Sequence, residues 1–202
     1  MSTESRKAWL ALLRPPNLPT VPGDPLAGWC LAGGGDWPGA IAAAVAALLL
    51  YMAGLILNDV ADIETDRRER PDRPLPSERV TREAALRAAL ICGLAGLGIT
   101  CLAGPAVLGI GTLLMLAILV YTFATPRGST RGFLAMGLCR ALSVGLGIAA
   151  AGRLPVPPAA LLAAGGIGGY IAAVSWMAAG EAGDQTLDGR RWLPLLLAEG
   201  SL

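Results

Sequence analysis

The chain has 202 residues, of which 54% are apolar and 15% charged, and it contains no histidine. Soluble globular domains carry about 25% charged residues, so this composition indicates an integral membrane protein with several spans. The net charge of +1 does not show the strongly basic balance that is typical of nucleic-acid-binding proteins. The absence of histidine excludes the commonest zinc ligand and the usual general base near pH 7.

Apolar segments long enough to cross a bilayer, which takes about 20 residues, occur six times. They run over residues 9–32, 39–58, 84–103, 105–124, 132–151 and 158–180. The start of a seventh follows at Trp192. We therefore predict an all-α membrane protein, a transmembrane helix bundle forming a single domain over residues 1–202.

Five prolines between Pro15 and Pro25 interrupt the first span. Proline removes a backbone donor and kinks a helix, and in lipid such breaks are tolerated only inside protein. We therefore expect a bent, protein-packed segment that holds Asp24 at membrane depth. Arg140 lies about 12 Å inside the fifth span, at 1.5 Å per residue. Three alternatives follow: Arg140 pairs with Asp24, reaches a bound diphosphate from behind, or snorkels to the interface.

The second span ends in a stripe of polar side chains. If the helix continues past Leu57, Asn58, Asp62 and Asp66 share one face at i, i+4 and i+8, with Asp59 beside them. Oxygen ligands of this kind suit Mg²⁺, and arginines bind phosphate bidentately. The arginines that follow are Arg67, Arg68, Arg70 and Arg73. The pattern predicts a metal–diphosphate site; the alternative is a solvated loop of mixed charge.

Cationic residues mark one side of the membrane. They lie around the start of the first span, between the second and third, between the fourth and fifth, and after the sixth. On the opposite side Arg153 alone lies in a connection. The positive-inside rule therefore predicts a cytosolic N-terminus and cytosolic active-site loops. We separately expect the membrane to be the inner membrane of a bacterium.

A second acidic cluster follows the sixth span on the same predicted side. Asp184 and Asp188 are four residues apart, so one helix face would present both, and Glu181 precedes them. Two facing acidic clusters would hold two Mg²⁺ ions on one diphosphate. A DxxxD pattern alone is equally typical of a solvated loop.

These motifs resemble those of the UbiA superfamily of intramembrane prenyltransferases. NDVADIETD, from Asn58 to Asp66, is similar to that family's NDxxDxxxD motif, and RPDRPLPSERV continues it. YTFATPRGSTRG, from Tyr121 to Gly132, resembles the family's tyrosine-then-basic loop. GEAGDQTLDGRR resembles a loose form of its second motif. The family typically has nine membrane helices, so the resemblance implies a domain without the last of them.

The resemblance implies transfer of a prenyl group from a prenyl diphosphate to an aromatic or other small acceptor within the membrane lipid. The residues implied as Mg²⁺ ligands are Asn58, Asp62, Asp66, Glu181, Asp184 and Asp188. Those implied around the substrate are Asp59, Arg67, Arg70, Arg73, Tyr121, Arg127 and Arg131, and Arg140 joins them if it reaches the diphosphate.

Two other functions fit the same composition. One is a non-catalytic membrane carrier or assembly component that binds lipid or prenyl diphosphate without turnover. The other is an unrelated small transporter, which would show inverted repeats; we find no internal repeat in the sequence.

Overall fold

The structure is a computed structural model that describes residues 3–126 and 128–181. These residues form helices and contain no strand. The helices are α1 (Thr3–Leu13), α2 (Gly23–Leu31), α3 (Trp37–Ala61), α4 (Ile63–Glu69), α5 (Arg82–Ala103), α6 (Pro105–Ala124), α7 (Thr130–Ala151) and α8 (Pro158–Glu181), with a 3₁₀ turn at Pro15–Thr20.

Five of the described helices, α3 and α5 to α8, are long and apolar enough to cross a membrane. This confirms the predicted multi-pass helix bundle. The predicted count of six complete spans is not confirmed, because the first segment is broken. The start predicted at Trp192 lies outside the described residues.

The segment predicted as a first span over 9–32 is two helices joined by the 3₁₀ turn. Its prolines cannot donate the helical hydrogen bonds, and Arg14 ahead of them takes a left-handed backbone with φ of 49°. The segment nevertheless extends along the whole bundle. Arg14 contacts Asp59 near the C-terminal end of α3. At the other end Arg153, just after α7, donates to the carbonyl of Gly34.

The packing of α2 against α7 depends on two glycines. A Cβ on Gly147 would lie 1.7 Å from the carbonyl oxygen of Pro25, and a Cβ on Gly28 would lie 2.1 Å from that of Val144. Small residues of this kind let membrane helices approach closely. In α8 the corresponding contact is made by Gly168 against Gly137.

A small core fixes the connection between α4 and α5 at the C-terminal end of α3. Leu75 and Val80 of this connection are 4% and 3% exposed and share a buried cluster with Leu12 of α1 and Ile56 of α3. Burial of such side chains contributes about 1.5–3 kcal/mol each. The arginines of the connection are therefore held beside the end of α3. We refer to this end of the bundle as the polar end.

We expect Gly147→Ala to lower stability by about 3 kcal/mol or more, because its methyl group would overlap α2 and force the helices apart. The matched control is Gly145→Ala on the same helix, where the nearest atom to an added Cβ is 3.5 Å away. That change should be neutral or stabilising by up to about 1 kcal/mol, since alanine favours helix. Thermal unfolding in detergent, followed by size-exclusion chromatography, compares the two. Equal effects would show that α2 does not depend on this contact.

Candidate functional site

Two acidic side chains at the polar end are buried and paired with arginines. Asp59 on α3 is 7% exposed and Asp66 on α4 is 4% exposed. Arg14 Nη2 lies 2.6 Å from Asp59 Oδ1, and Arg73 Nη1 lies 2.7 Å from Asp66 Oδ2. Arg73 Nη1 is also 3.9 Å from Asp59 Oδ1. Buried carboxylates require such partners, since an unpaired charge is very costly in an apolar interior.

The other two polar residues of the first motif form a pair of their own. Asn58 Nδ2 donates to Asp62 Oδ2 over 3.3 Å. The two residues lie one turn apart, because α3 continues past Leu57 to Ala61. At Asp62 the helix breaks and α4 begins. The stripe predicted on one continuous face is thus divided, with Asp66 directed to Arg73.

The side chains at the polar end include donors suitable for Mg²⁺. Within the described residues, no three acidic or cysteine side chains come together as a metal cluster. Mg²⁺ commonly takes only one or two carboxylates and completes its coordination with water and substrate phosphates. Asn58 and Asp62, whose side chains are in contact through the Asn58 amide nitrogen, offer one amide oxygen and one carboxylate and fit that requirement, whereas Asp59 and Asp66 are paired with arginines.

A polar cleft of about 530 Å³ opens beside these ion pairs. Four arginines line it: Arg14, Arg70, Arg73 and Arg79. Arg79 Nε donates to Ser77 Oγ over 3.0 Å, and its Nη2 donates to the carbonyl of Asp72. Contacts thus hold the guanidinium groups of Arg14, Arg73 and Arg79 in place. Asp59, Glu69 and Asp72 also line the cleft. Guanidinium groups bind phosphate oxygens through two parallel hydrogen bonds.

An apolar chamber of about 240 Å³ lies inside the bundle next to the cleft. Leu114 and Ile118 of α6 form part of its wall, and Tyr51 and Tyr121 contribute aromatic rings. Arg14 lines both the chamber and the cleft. In the sequence alone, Arg14 is a topological signal, and its only mark as a site residue is its position, a cation directly before Pro15 and Pro16.

The predicted intramembrane pair is present. Arg140 Nη2 of α7 lies 2.9 Å from Asp24 Oδ1 of α2. Asp24 is 8% exposed. Arg140 lines the apolar chamber and holds this partner inside the bundle, so it does not snorkel to the interface.

The other predicted site residues either lie on the exposed surface or fall outside the residues that the structure describes. Arg67 Nη1 binds Glu64 Oε1 over 2.8 Å on an exposed surface and lines neither the cleft nor the chamber. Arg131 is exposed at the start of α7. The residues outside the described part are Arg127, Asp184 and Asp188, and the side chain of Glu181 is also not described. The convergence of two acidic clusters remains a prediction.

We expect Arg73→Met to lower stability by about 3 kcal/mol, because it leaves Asp66 buried without its cation. Arg67→Met should change stability by less than about 0.5 kcal/mol, since its pair with Glu64 is solvent-exposed. Thermal unfolding of both variants in the same detergent measures the difference. Similar losses in the two variants would contradict the assigned role of Arg73.

The model of the UbiA prenyltransferase family matches residues 18–201. Digeranylgeranylglyceryl phosphate synthase of Methanopyrus kandleri is 33% identical over 117 residues, which are 58% of this chain and 43% of that protein. The enzyme of the same name from Methanoculleus marisnigri is 30% identical over 132 residues, 65% of this chain and 47% of that protein. The chain thus spans less than half the length of these relatives.

Solved structures share the fold. A UbiA homologue from Archaeoglobus fulgidus bound to DMAPP and Mg²⁺ superposes with a TM-score of 0.69 at 13% identity, over 96% of this chain and 84% of that one. A UbiA homologue from Aeropyrum pernix without ligand gives a TM-score of 0.71 at 20% identity, over 92% and 75% of the two chains.

Proposed function

The chain belongs to the UbiA prenyltransferase family, and we propose on this basis that it transfers a prenyl group from a prenyl diphosphate to a small acceptor inside the membrane. The observation that carries the proposal is the adjacency of two unlike compartments. The arginine-lined cleft and the apolar chamber meet at Arg14, which lines both. A molecule with a doubly phosphorylated head and a hydrocarbon chain has the same two parts.

The arginines of the cleft would bind and orient the diphosphate. Arg70 and Arg73 come from the fixed connection after α4, and Arg14 comes from the broken N-terminal segment. Their charges oppose the negative charge that grows on the diphosphate as its bond to carbon lengthens. The ion pairs of Arg14 and Arg73 hold their guanidinium groups beside the cleft before a diphosphate enters.

Mg²⁺ is part of the proposal. The Archaeoglobus fulgidus relatives are bound to Mg²⁺ with DMAPP or GPP. In this chain Asn58 and Asp62 would hold the ion, with Asp66 and Asp59 near them at the end of α3. Glu181, Asp184 and Asp188 are proposed as the second set on the grounds of sequence. When bound, Mg²⁺ supplies further positive charge to the leaving diphosphate.

The chamber would shelter the hydrocarbon part. Leu114 and Ile118 keep water from the reacting carbon. The rings of Tyr51 and Tyr121 line the same space, and aromatic faces attract a developing cation. These side chains would position the hydrocarbon chain and exclude water, and they would not transfer a proton.

The protein is an integral multi-pass membrane protein, and its orientation is proposed from the distribution of cations. We infer that the polar end faces the cytosol, as the positive-inside rule predicts. The bacterial inner membrane remains a prediction, since the relatives named above are archaeal. The single domain over 1–202 is likewise proposed, by extension of the family match.

We expect Asp62→Asn to lower GPP turnover by at least about a hundredfold, because the amide removes the carboxylate facing the reacting diphosphate. The matched control is Asp36→Asn, about 39 Å of helix away. Asp36 caps α3 by accepting from the amide of Gly39, and asparagine caps equally well. Release of diphosphate from GPP, with the protein in lipid nanodiscs and a series of small alcohol and aromatic acceptors supplied, measures both. Normal turnover in Asp62→Asn would remove the proposed site. Binding of GPP without turnover in the unmodified protein would favour the non-catalytic carrier.

We expect removal of divalent cations to abolish GPP turnover. Adding Mg²⁺ back should restore it. The reason is that Arg14 and Arg73 are already paired with Asp59 and Asp66, so only part of the positive charge that lines the cleft is available to the leaving group without the metal. Turnover before chelation, after chelation and after addition of Mg²⁺ tests this. Turnover that persists in the chelator would contradict a role for the metal.

A further inference from the structure

Three buried polar atoms at the interface of α2 and α7 make no hydrogen bond within 3.5 Å, although the Ser143 hydroxyl lies near enough to the Asp24 carboxylate to interact with it. They are Asp24 Oδ2, Arg140 Nε and Ser143 Oγ. They make up three of the five such atoms in the described residues. Asp24 and Ser143 are only 8% and 5% exposed. Since buried polar groups are nearly always satisfied in folded proteins, this cluster has hydrogen-bonding capacity left for a ligand.

The cluster adjoins the apolar chamber. Arg140 and Ser143 lie three residues apart on α7 and both line the chamber. The side chain of Arg140 is 23% exposed, and Asp24 holds its guanidinium group from the α2 side. Arg140 therefore presents a fixed polar group to a space whose wall is mainly apolar.

The charge balance of the cluster limits what it binds. Asp24 compensates Arg140, so an added carboxylate would be opposed by Asp24 and an added ammonium group by Arg140. The unused groups are one acceptor, Asp24 Oδ2, one donor, Arg140 Nε, and the hydroxyl of Ser143, which does both. A neutral hydroxyl group also donates once and accepts, and it matches this set without adding charge.

We propose that Asp24, Arg140 and Ser143 anchor the acceptor through a neutral hydroxyl group, so that the preferred acceptor is an alcohol or a phenol and not an acid or an amine. The description of this ligand as an acceptor rests on the proposed prenyl transfer. Arg140 and Ser143 contact the acceptor, and Asp24 positions Arg140. A purely structural ion pair between α2 and α7 is the competing explanation.

Ligand preference separates the two explanations. The test uses the full chain in lipid nanodiscs and measures binding of 1-naphthol, 1-naphthoate and 1-naphthylmethylamine by equilibrium dialysis, with empty nanodiscs subtracted. At pH 7 these probes are neutral, anionic and cationic with similar shapes. The unmodified protein is expected to bind 1-naphthol at least about tenfold more tightly than either charged probe, because a mispaired buried charge costs more than one hydrogen bond.

Asp24→Asn leaves the charge of Arg140 uncompensated. We expect this variant to prefer 1-naphthoate over 1-naphthol, a shift in the ratio of their affinities of at least about tenfold. Ser143→Ala should weaken 1-naphthol binding by about threefold to tenfold with no gain for 1-naphthoate. Arg153→Met is the matched control for a lost arginine contact, because Arg153 binds the carbonyl of Gly34 at the other end of the bundle. It should leave all three affinities unchanged.

An unmodified protein that prefers a charged probe would overturn the hydroxyl assignment. So would an Asp24→Asn variant that is less stable but keeps the original order of preference, since that result describes a structural pair. If Asp24→Asn does not fold, unchanged 1-naphthol binding in Ser143→Ala decides against the proposal. These measurements do not depend on catalysis. A protein with the expected preferences but no turnover of GPP would retain the hydroxyl site and lose the proposed prenyl transfer.

Discussion

Compensation of buried carboxylates by arginine determines how this bundle is built at its polar end. Asp59 and Asp66 are almost fully buried where α3 gives way to α4. A guanidinium nitrogen of Arg14 lies 2.6 Å from a carboxylate oxygen of Asp59, and one of Arg73 lies 2.7 Å from a carboxylate oxygen of Asp66. Arg14 directly follows α1, so its pair with Asp59 joins two segments distant in sequence. Arg73 lies only seven residues after Asp66, so its pair fixes the fold of the connection that follows α4. The same contacts gather the arginines that form the cleft.

The fold places a second charged pair by different means. Asp24 meets Arg140 because α2 lies close against α7, and that approach depends on Gly28 and Gly147. The prolines of Pro15–Thr20 lack the backbone N–H groups that a continuous helix needs. The chain breaks there, and α2 begins as a separate helix. The break in the first segment is therefore a structural requirement of the site. It lets one segment supply Arg14 to the cleft and Asp24 to the chamber wall.

The sequence predicted α3 and α5 to α8 closely, because each is an apolar segment bounded by polar or turn residues. The Asp24–Arg140 pair was also predictable, since two opposite charges at membrane depth have few other partners. The prolines predicted a bend in the first span, but not its division into two helices joined by a 3₁₀ turn. The pairing of Arg73 and not Arg67 with Asp66 depends on how the connection folds, which local spacing does not determine.

The ion pairs of the polar end also constrain the kind of ligand that the cleft accepts. An anion that drew Arg73 away from Asp66 would leave that carboxylate buried without compensation, at a cost of several kcal/mol. A ligand that brings positive charge with its phosphates avoids this cost, because the freed carboxylate gains a new partner. In the same way the balanced pair in the chamber favours a neutral group. The two compartments thus differ in the net charge they accept, and this difference would keep the diphosphate head and the acceptor in their separate places.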